Sequence, residues 1–223
     1  MKTDKNQPER RSDALSKARI VEAAIAILDS GGEGALTFRA LAARLSTGPG
    51  AIYWHVANKN ELLGAAADEI IGGVMANVER DAAPQAVIRA IALGVFDAID
   101  RHPWVGTQFS RDPLHSASLQ VFEGIGGRLQ ALGVSERVLF DAWSALVNYI
   151  LGVAGQNAAN ARIQPPDTDR AAVLGAIAAR CARLDPLEFP FVRQVAAQFR
   201  DHDDREQFLA GIDLILAGIA TIR

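Results

Sequence analysis

From Ser16 onward the chain is a succession of segments in which apolar residues recur at helical spacing, each closed by glycine or proline. Almost nothing alternates with a period of two, so the pattern confines the fold to the all-α class. In the first segment Ile20, Val21, Ala24, Ile27 and Leu28 share one helical face behind Ser16, a natural N-cap. Gly31, Gly32 and Gly34 are expected to end it, because glycine accepts the left-handed conformation that follows a helix. Thr37 caps a short second helix to Leu45. Ser46-Thr47-Gly48 breaks the chain, and Pro49 suits the first turn of a third helix reaching about Val56. Asn58-Lys59-Asn60-Glu61 has the capping-box pattern and opens a fourth helix to about Arg80. Longer helices are predicted over 83–100, 114–132, 135–161, 169–184 and 205–222. Pro103, the loop Gln164-Pro165-Pro166-Asp167, Asp185-Pro186 and Pro190 are read as breaks between them.

Composition narrows the classes. With 49% hydrophobic and 22% charged residues in 223, the chain is no disordered tail, and it is long enough to bury about 70% of its unfolded surface. Cys181 is the sole cysteine, which excludes an intramolecular disulfide and a paired-cysteine zinc site. Residues 1–19 lack an apolar signal core. The apolar run 208–222 is short and carries Asp213, so no membrane partner and a cytoplasmic location are expected. Residues 1–60 hold nine Lys/Arg against six Asp/Glu, whereas the rest hold 14 against 20. A basic end on an acidic whole suits a polyanionic partner, although a merely solvated arm reads the same way.

Two short helices joined by a tight turn, Thr37–Leu45 and Pro49–Val56, have helix-turn-helix proportions, and the second such helix can enter a major groove. Tyr53, Trp54, His55 and Lys59 gather at its end. A phenol, an imidazole and an ammonium can all hold phosphate oxygens, and free N–H groups opening the fourth helix add an anion site. The alternative is that Tyr53 and Trp54 are core aromatics and His55 a satisfied surface residue.

In the helix after Ser135, Leu139, Trp143, Leu146, Ile150 and Val153 recur at spacings of 4 and 3, as do Phe208, Ile212, Ile215, Ile219 and Ile222 in the last helix. Val147, Leu209 and Leu216 add a second stripe. One stripe can face the chain's own core while the other meets a second copy in a four-helix bundle, with Leu139, Trp143, Leu146, Ile150, Phe208, Ile212, Ile215 and Ile219 as the interface. A large monomer that buries both helices centrally is the alternative. Between 83 and 161, aromatic and polar residues mix: His102, Trp104, Gln108, Phe109, Phe122, Trp143, Asn148 and Gln156 are the candidate lining of a small-molecule pocket, although aromatics at helical spacing also describe plain core.

The stretch from Ile20 to Leu63, with Gly34-Ala35-Leu36-Thr37-Phe38-Arg39-Ala40-Leu41-Ala42 and Tyr53-Trp54-His55-Val56-Ala57-Asn58-Lys59, resembles the DNA-binding domain of TetR-type regulators over about residues 15–65. Arg101-His102-Pro103-Trp104 and Gly211–Gly218 are similar to the C-terminal domain of the branch containing the tetracycline repressor. The resemblance implies a flexible arm over 1–14, a DNA-binding domain over 15–65, and a ligand-binding and dimerisation domain over 66–223. It implies a homodimeric repressor on a double-stranded DNA operator, released by a small-molecule effector, with no cofactor. Tetracycline with magnesium is not implied. By resemblance, Arg39 reaches a base edge or phosphate, Thr37 touches a phosphate, and Thr47, Gly48, Pro49, Gly50 and Ala51 face the bases. Tyr53, His55 and Lys59 clamp the backbone, with Trp54 packed beneath them. Ser46-Thr47 departs from the glycine-valine usual at this turn, which predicts a left-handed Ser46 at a cost of about 1 kcal/mol. Enzyme and metal readings have less support: His202-Asp203-Asp204 reads as a solvated charge run, and Glu123–Gly127 follows no strand. The arm's acids, Asp4, Glu9 and Asp13, argue against a membrane-surface role.

Overall fold

The computed structural model describes residues 15–112, 114–163, 169–200 and 202–222, in which all regular structure is helical. The expected arm over 1–14 and the loop 164–167 lie outside them. The chain divides into two compact units, one ending at Arg128 and one beginning at Leu129. The first contains α1 (Lys17–Ala35), α2 (Phe38–Arg44), α3 (Pro49–Tyr53), α4 (Lys59–Ala76), α5 (Pro84–Arg101), α6 (Trp104–Arg111) and most of α7 (Ser116–Ala131). The second contains α8 (Glu136–Ile163), α9 (Arg170–Ala182), α10 (Pro190–Val195), a 3-10 turn at Ala196–Phe199 and α11 (Asp204–Ile222). The boundary expected after residue 65 falls inside α4, which packs on α1 and also on α5 and so belongs to both neighbours.

Three side-chain caps start the head. Ser16 Oγ accepts from Arg19 N (3.3 Å), Thr37 Oγ1 from Ala40 N (3.0 Å) and Asn58 Oδ1 from Glu61 N (2.9 Å). Each cap is worth about 1 kcal/mol. The faces they open converge on Ile20, Ala24, Leu28, Leu41, Ile52 and Leu62, all buried. A fully buried Leu or Ile contributes about 1.5–3 kcal/mol, so this core outweighs the caps severalfold.

Some boundaries differ from expectation for identifiable reasons. Gly32 (φ 66°, ψ −173°) breaks α1, but the chain resumes one further turn to Ala35. Helix α4 stops at Ala76, not Arg80, because Asn77 folds back: its side-chain amide donates to Gly73 O (3.0 Å) while its N–H turns to Val74 O. Helices α6 and α10 were not expected. Pro103 and Pro190 stand at their starts, where a fixed φ and a missing N–H favour a first turn.

The turn between α2 and α3 is a complete Schellman motif. Thr47 N donates to Ala42 O (3.0 Å), Ser46 N donates to Ala43 O (3.3 Å), and Ser46 has φ 52°. The left-handed serine predicted from the missing glycine is therefore present.

In the second unit α8 packs along α11, with Leu146, Ile150, Phe208 and Ile212 fully buried between them and Ala154, Leu216 and Ile219 extending the seam. Tyr149 lies parallel to Phe208 (centroids 5.6 Å, 9°), and its hydroxyl donates to Phe208 O (3.2 Å). A Cβ on Gly211 would fall 1.9 Å from that hydroxyl, so the glycine is what lets the two helices approach. Within α8, Glu136–Asn160 is long and apolar enough to cross a membrane (mean hydropathy 1.4), a longer candidate than the 208–222 run picked out from sequence. Here that apolar length faces α11 on one side.

Ser46→Gly removes a left-handed penalty of about 1–2 kcal/mol and gives back part of it as unfolded-chain entropy, so urea denaturation is expected to show a net gain of about 0.5–1 kcal/mol. Ser46→Val, which is β-branched, is expected to lose at least about 1 kcal/mol. Equal stability of all three proteins would contradict the assigned turn.

Candidate nucleic-acid interface and effector cavity

The solvent side of the head holds most of the residues singled out from sequence. Arg39, Gly48, Pro49 and Gly50 are exposed, and Thr47 and Ala51 are half-buried on the same turn and helix. Tyr53 is 54% exposed and lies flat on Phe38, with centroids 4.3 Å apart and an angle of 5° between the rings. That stack holds the Tyr53 ring in one plane without burying it. Phe38 went unnoticed in the sequence because it lies 15 residues from Tyr53 and no local spacing links them.

Four expectations need correction or refinement here. Trp54 is 90% exposed and packs beneath nothing: it caps the five-residue α3, whose inner face is already filled by Ile52. Lys59 Nζ donates to Glu33 O, so the ammonium joins the start of α4 to the end of α1 instead of standing free. Thr37 spends its acceptor on the α2 cap, leaving its O–H for a phosphate. The opening of α4 is not an empty anion site. Glu61 Oε2 accepts from Ala57 N (2.8 Å), Asn58 takes Glu61 N, and Lys17 Nζ donates to Glu61 Oε1 (3.2 Å). The Ala57 amide and then Lys17 hold the Glu61 carboxyl below its ordinary pKa, so this helix start already has its anion.

The candidate ligand residues divide. His102 Nδ1 and Trp104 Nε1 both meet Asp29 Oδ1 at 2.8 Å, and Gln108 Nε2 donates to Glu33 Oε1 (3.2 Å), beside Arg111 Nη2 on Glu33 Oε2 (3.0 Å). These three side chains, expected around a ligand, tie α6 and the bend before it to α1. Phe109 is buried core. Asn148 is exposed and bonded to Ser144, Gln156 is exposed, and Phe122 and Trp143 are half-buried on α7 and α8. His102 also lines a 440 Å³ cavity between α4 and α5.

A larger cavity, about 810 Å³, opens within the first unit between the end of α4, α5 and α7. Met75, Ile91 and Leu119 give it apolar walls, and Arg80, Arg128 and Glu123 bring charge. None of the eight candidate ligand residues is among its described lining. The mix of aromatic and polar residues over 83–161 points elsewhere, whereas the apolar part of this wall is aliphatic and includes Gly124 and Gly127.

The a/d stripe on α8 and α11 also differs from expectation. Leu146, Ile150, Phe208, Ile212 and Ile219 are buried inside one chain, and Leu139, Trp143 and Ile215 are half-buried. A 4-3 spacing fits any shallow helix pair, and these two helices satisfy it with each other. Among the described residues of α8 and α11, Phe140 (71%), Leu214 (75%) and Ile222 (53%) are the exposed large apolar groups.

Residues 20–66 match the model of bacterial regulatory proteins of the tetR family, and residues 83–223 match that of the tetracyclin repressor-like C-terminal domain. A transcriptional regulator structure from Streptomyces coelicolor, SCO7222, is 49% identical and superposes with a TM-score of 0.86 over 94% of this chain and 99% of that one. An HTH-type transcriptional regulator of Saccharopolyspora erythraea is 31% identical over 66% of this chain and 64% of its own length. The HTH-type transcriptional repressor DrrR1 of Streptomyces coeruleorubidus is 30% identical over 63% and 53%. The chain thus spans less than two thirds of the length of these two curated relatives.

Because Glu61 has a lowered pKa in the folded chain, its contribution is present above the ordinary carboxylate value and is lost as pH falls through the lowered one. Glu61→Gln is therefore expected to be less stable than wild type at neutral pH and to converge on it in acid. Parallel stability–pH curves for the two proteins would remove the carboxylate from the junction.

Proposed function

Because the chain belongs to the tetR family of bacterial regulatory proteins, we propose that it is a cytoplasmic, homodimeric repressor that binds a double-stranded DNA operator through α2 and α3. A small-molecule effector in the 810 Å³ cavity releases it. The observation that carries the DNA reading is the Tyr53–Phe38 stack beside an exposed Arg39 and an exposed α3 start. It is a rigid polar-aromatic surface that the head's own core does not use.

Helix α3 is short enough to enter a major groove end-on. Gly48-Pro49-Gly50-Ala51 offers the bases almost no side-chain hydrogen bonds, so Arg39 bears the direct readout. A bidentate Arg–guanine pair discriminates by about 1–3 kcal/mol. Pro49 and Ala51 add apolar contact to thymine methyls, and DNA shape supplies the remaining selectivity. Tyr53, Trp54, His55 and the Thr37 hydroxyl serve the sugar-phosphate backbone, which sets register and not sequence. Lys59 acts through Glu33, holding the start of α4 against α1.

Two heads are needed for a twofold operator, and the second apolar face of α8 and α11 supports pairing of copies. Phe140, Leu214 and the neighbouring small residues Ala217 and Gly218 are exposed, so helices of two copies can approach closely there. The effector side rests on α4. Its first residues adjoin α3 and its last residues wall the cavity, so a ligand that favours a different α4 position lowers DNA affinity in proportion to its preference for that state.

Selection of bound fragments from random DNA is expected to yield an inverted repeat with half-sites one or more helical turns apart, about 34 Å or a multiple. Arg39→Ala is expected to weaken the selected site about 10–100-fold, and Tyr53→Ala to weaken all sequences alike; failure to enrich any repeat would refute the reading. In sedimentation, Phe140→Asp with Leu214→Asp is expected to yield folded monomers, whereas Leu146→Asp unfolds the second unit. Dimers persisting in the double variant would overturn the interface.

A further inference from the structure

Resting on the reading of the 810 Å³ cavity as the effector site, we infer that it is built for an amphipathic organic acid: one anionic head on an apolar body. The cavity lies wholly within the first unit, and its volume is that of ordinary small-molecule sites. Met75 closes it from α4 and Ile91 from α5, giving an aliphatic floor for an apolar body.

Its charge is unbalanced. Arg80, in the bend after α4, and Arg128, on α7, both line it, against the single carboxylate of Glu123. Arg128 Nη2 donates to Arg80 O at 3.0 Å, which sets the two residues side by side and still leaves most of the Arg128 donors free. Among the described residues neither guanidinium forms an ion pair, whereas carboxylates elsewhere in this unit pair with Lys17, His102, Arg111 and His115, among others. Two guanidinium forks at the edge of an apolar cavity match a carboxylate or sulfonate, which accepts parallel N–H bonds in one plane. Glu123 discriminates against a second anionic group on the same ligand and accepts from a hydroxyl.

Gly127 supplies an independent handle. It lines the cavity on α7, and a Cβ built on it meets no atom within 4 Å. A larger side chain there starts from the cavity wall with no neighbour against its Cβ.

The test uses the full chain and two fluorescent probes of similar shape: 8-anilinonaphthalene-1-sulfonate, an anion, and N-phenyl-1-naphthylamine, which is neutral. Arg80→Gln with Arg128→Gln is expected to weaken the sulfonate at least tenfold and the neutral probe less than threefold. Circular dichroism checks the fold. If the pair does not fold, Arg80→Gln alone, which leaves the Arg80 carbonyl in place for Arg128, is expected to weaken the sulfonate at least threefold. Gly127→Leu is expected to abolish cavity binding of both probes. Unchanged sulfonate affinity in the arginine variants, equal loss of both probes in them, or retention of both probes in Gly127→Leu would each overturn the inference. None of these measurements involves DNA, so a failed operator selection and a failed anion preference are separate results.

Discussion

The C-terminal half of α1 is the anchor on which the first unit depends. Asp29 receives His102 and Trp104, Glu33 receives Gln108 and Arg111 through its carboxylate, and the Glu33 carbonyl receives Lys59. Two acids one turn apart therefore hold α6 on one side and the start of α4 on the other. Charge-assisted bonds of this kind are directional, and partly buried ones are worth more than exposed surface pairs. They join α6 and the start of α4, the helix that follows α3, to α1 and so act beside the apolar core. A helix of five residues has little hold of its own, since isolated helices so short do not persist in water.

The same anchor engages three side chains of the Arg101–Gln108 region, His102, Trp104 and Gln108, although His102 also lines the 440 Å³ cavity. Residues of ligand-binding type were drawn into the contact between the reading head and the helices behind it. The 810 Å³ cavity lies elsewhere in the first unit, with Gly124 and Gly127 in its α7 wall; a Cβ on Gly124 would meet Ile91 and Met75 at 2.9 Å, whereas one on Gly127 meets nothing within 4 Å. Met75, at the end of α4, lines that space, and the Lys59–Glu33 bond connects the beginning of α4 to the anchor.

What was legible in the sequence was whatever local chemistry decides. Ser16, Thr37 and Asn58 all serve as caps, because a short polar side chain ahead of an apolar period has few other uses. Ser46 was legible for the opposite reason: a turn that needs a positive φ exposes the missing glycine. The helices after Pro103 and Pro190 were hidden because proline both stops one helix and starts another, and local sequence does not say which. Contacts between distant residues were hidden as well. Nothing near Trp104 names Asp29, nothing near Tyr53 names Phe38, and the 4-3 stripe on α8 and α11 does not say whether its partner is the same chain or a copy.

The 810 Å³ cavity and the helix-turn-helix share one compact unit, while the exposed Phe140 and Leu214 belong to the other. Under the proposed function, substitutions that change which copies assemble fall on α8 and α11, and those that change what is sensed fall on α4, α5 and α7. Under natural drift the two properties can diverge separately. On that proposal, gene duplicates of this chain would be free to become insulated from one another by altering Phe140 or Leu214 while still answering the same chemical signal.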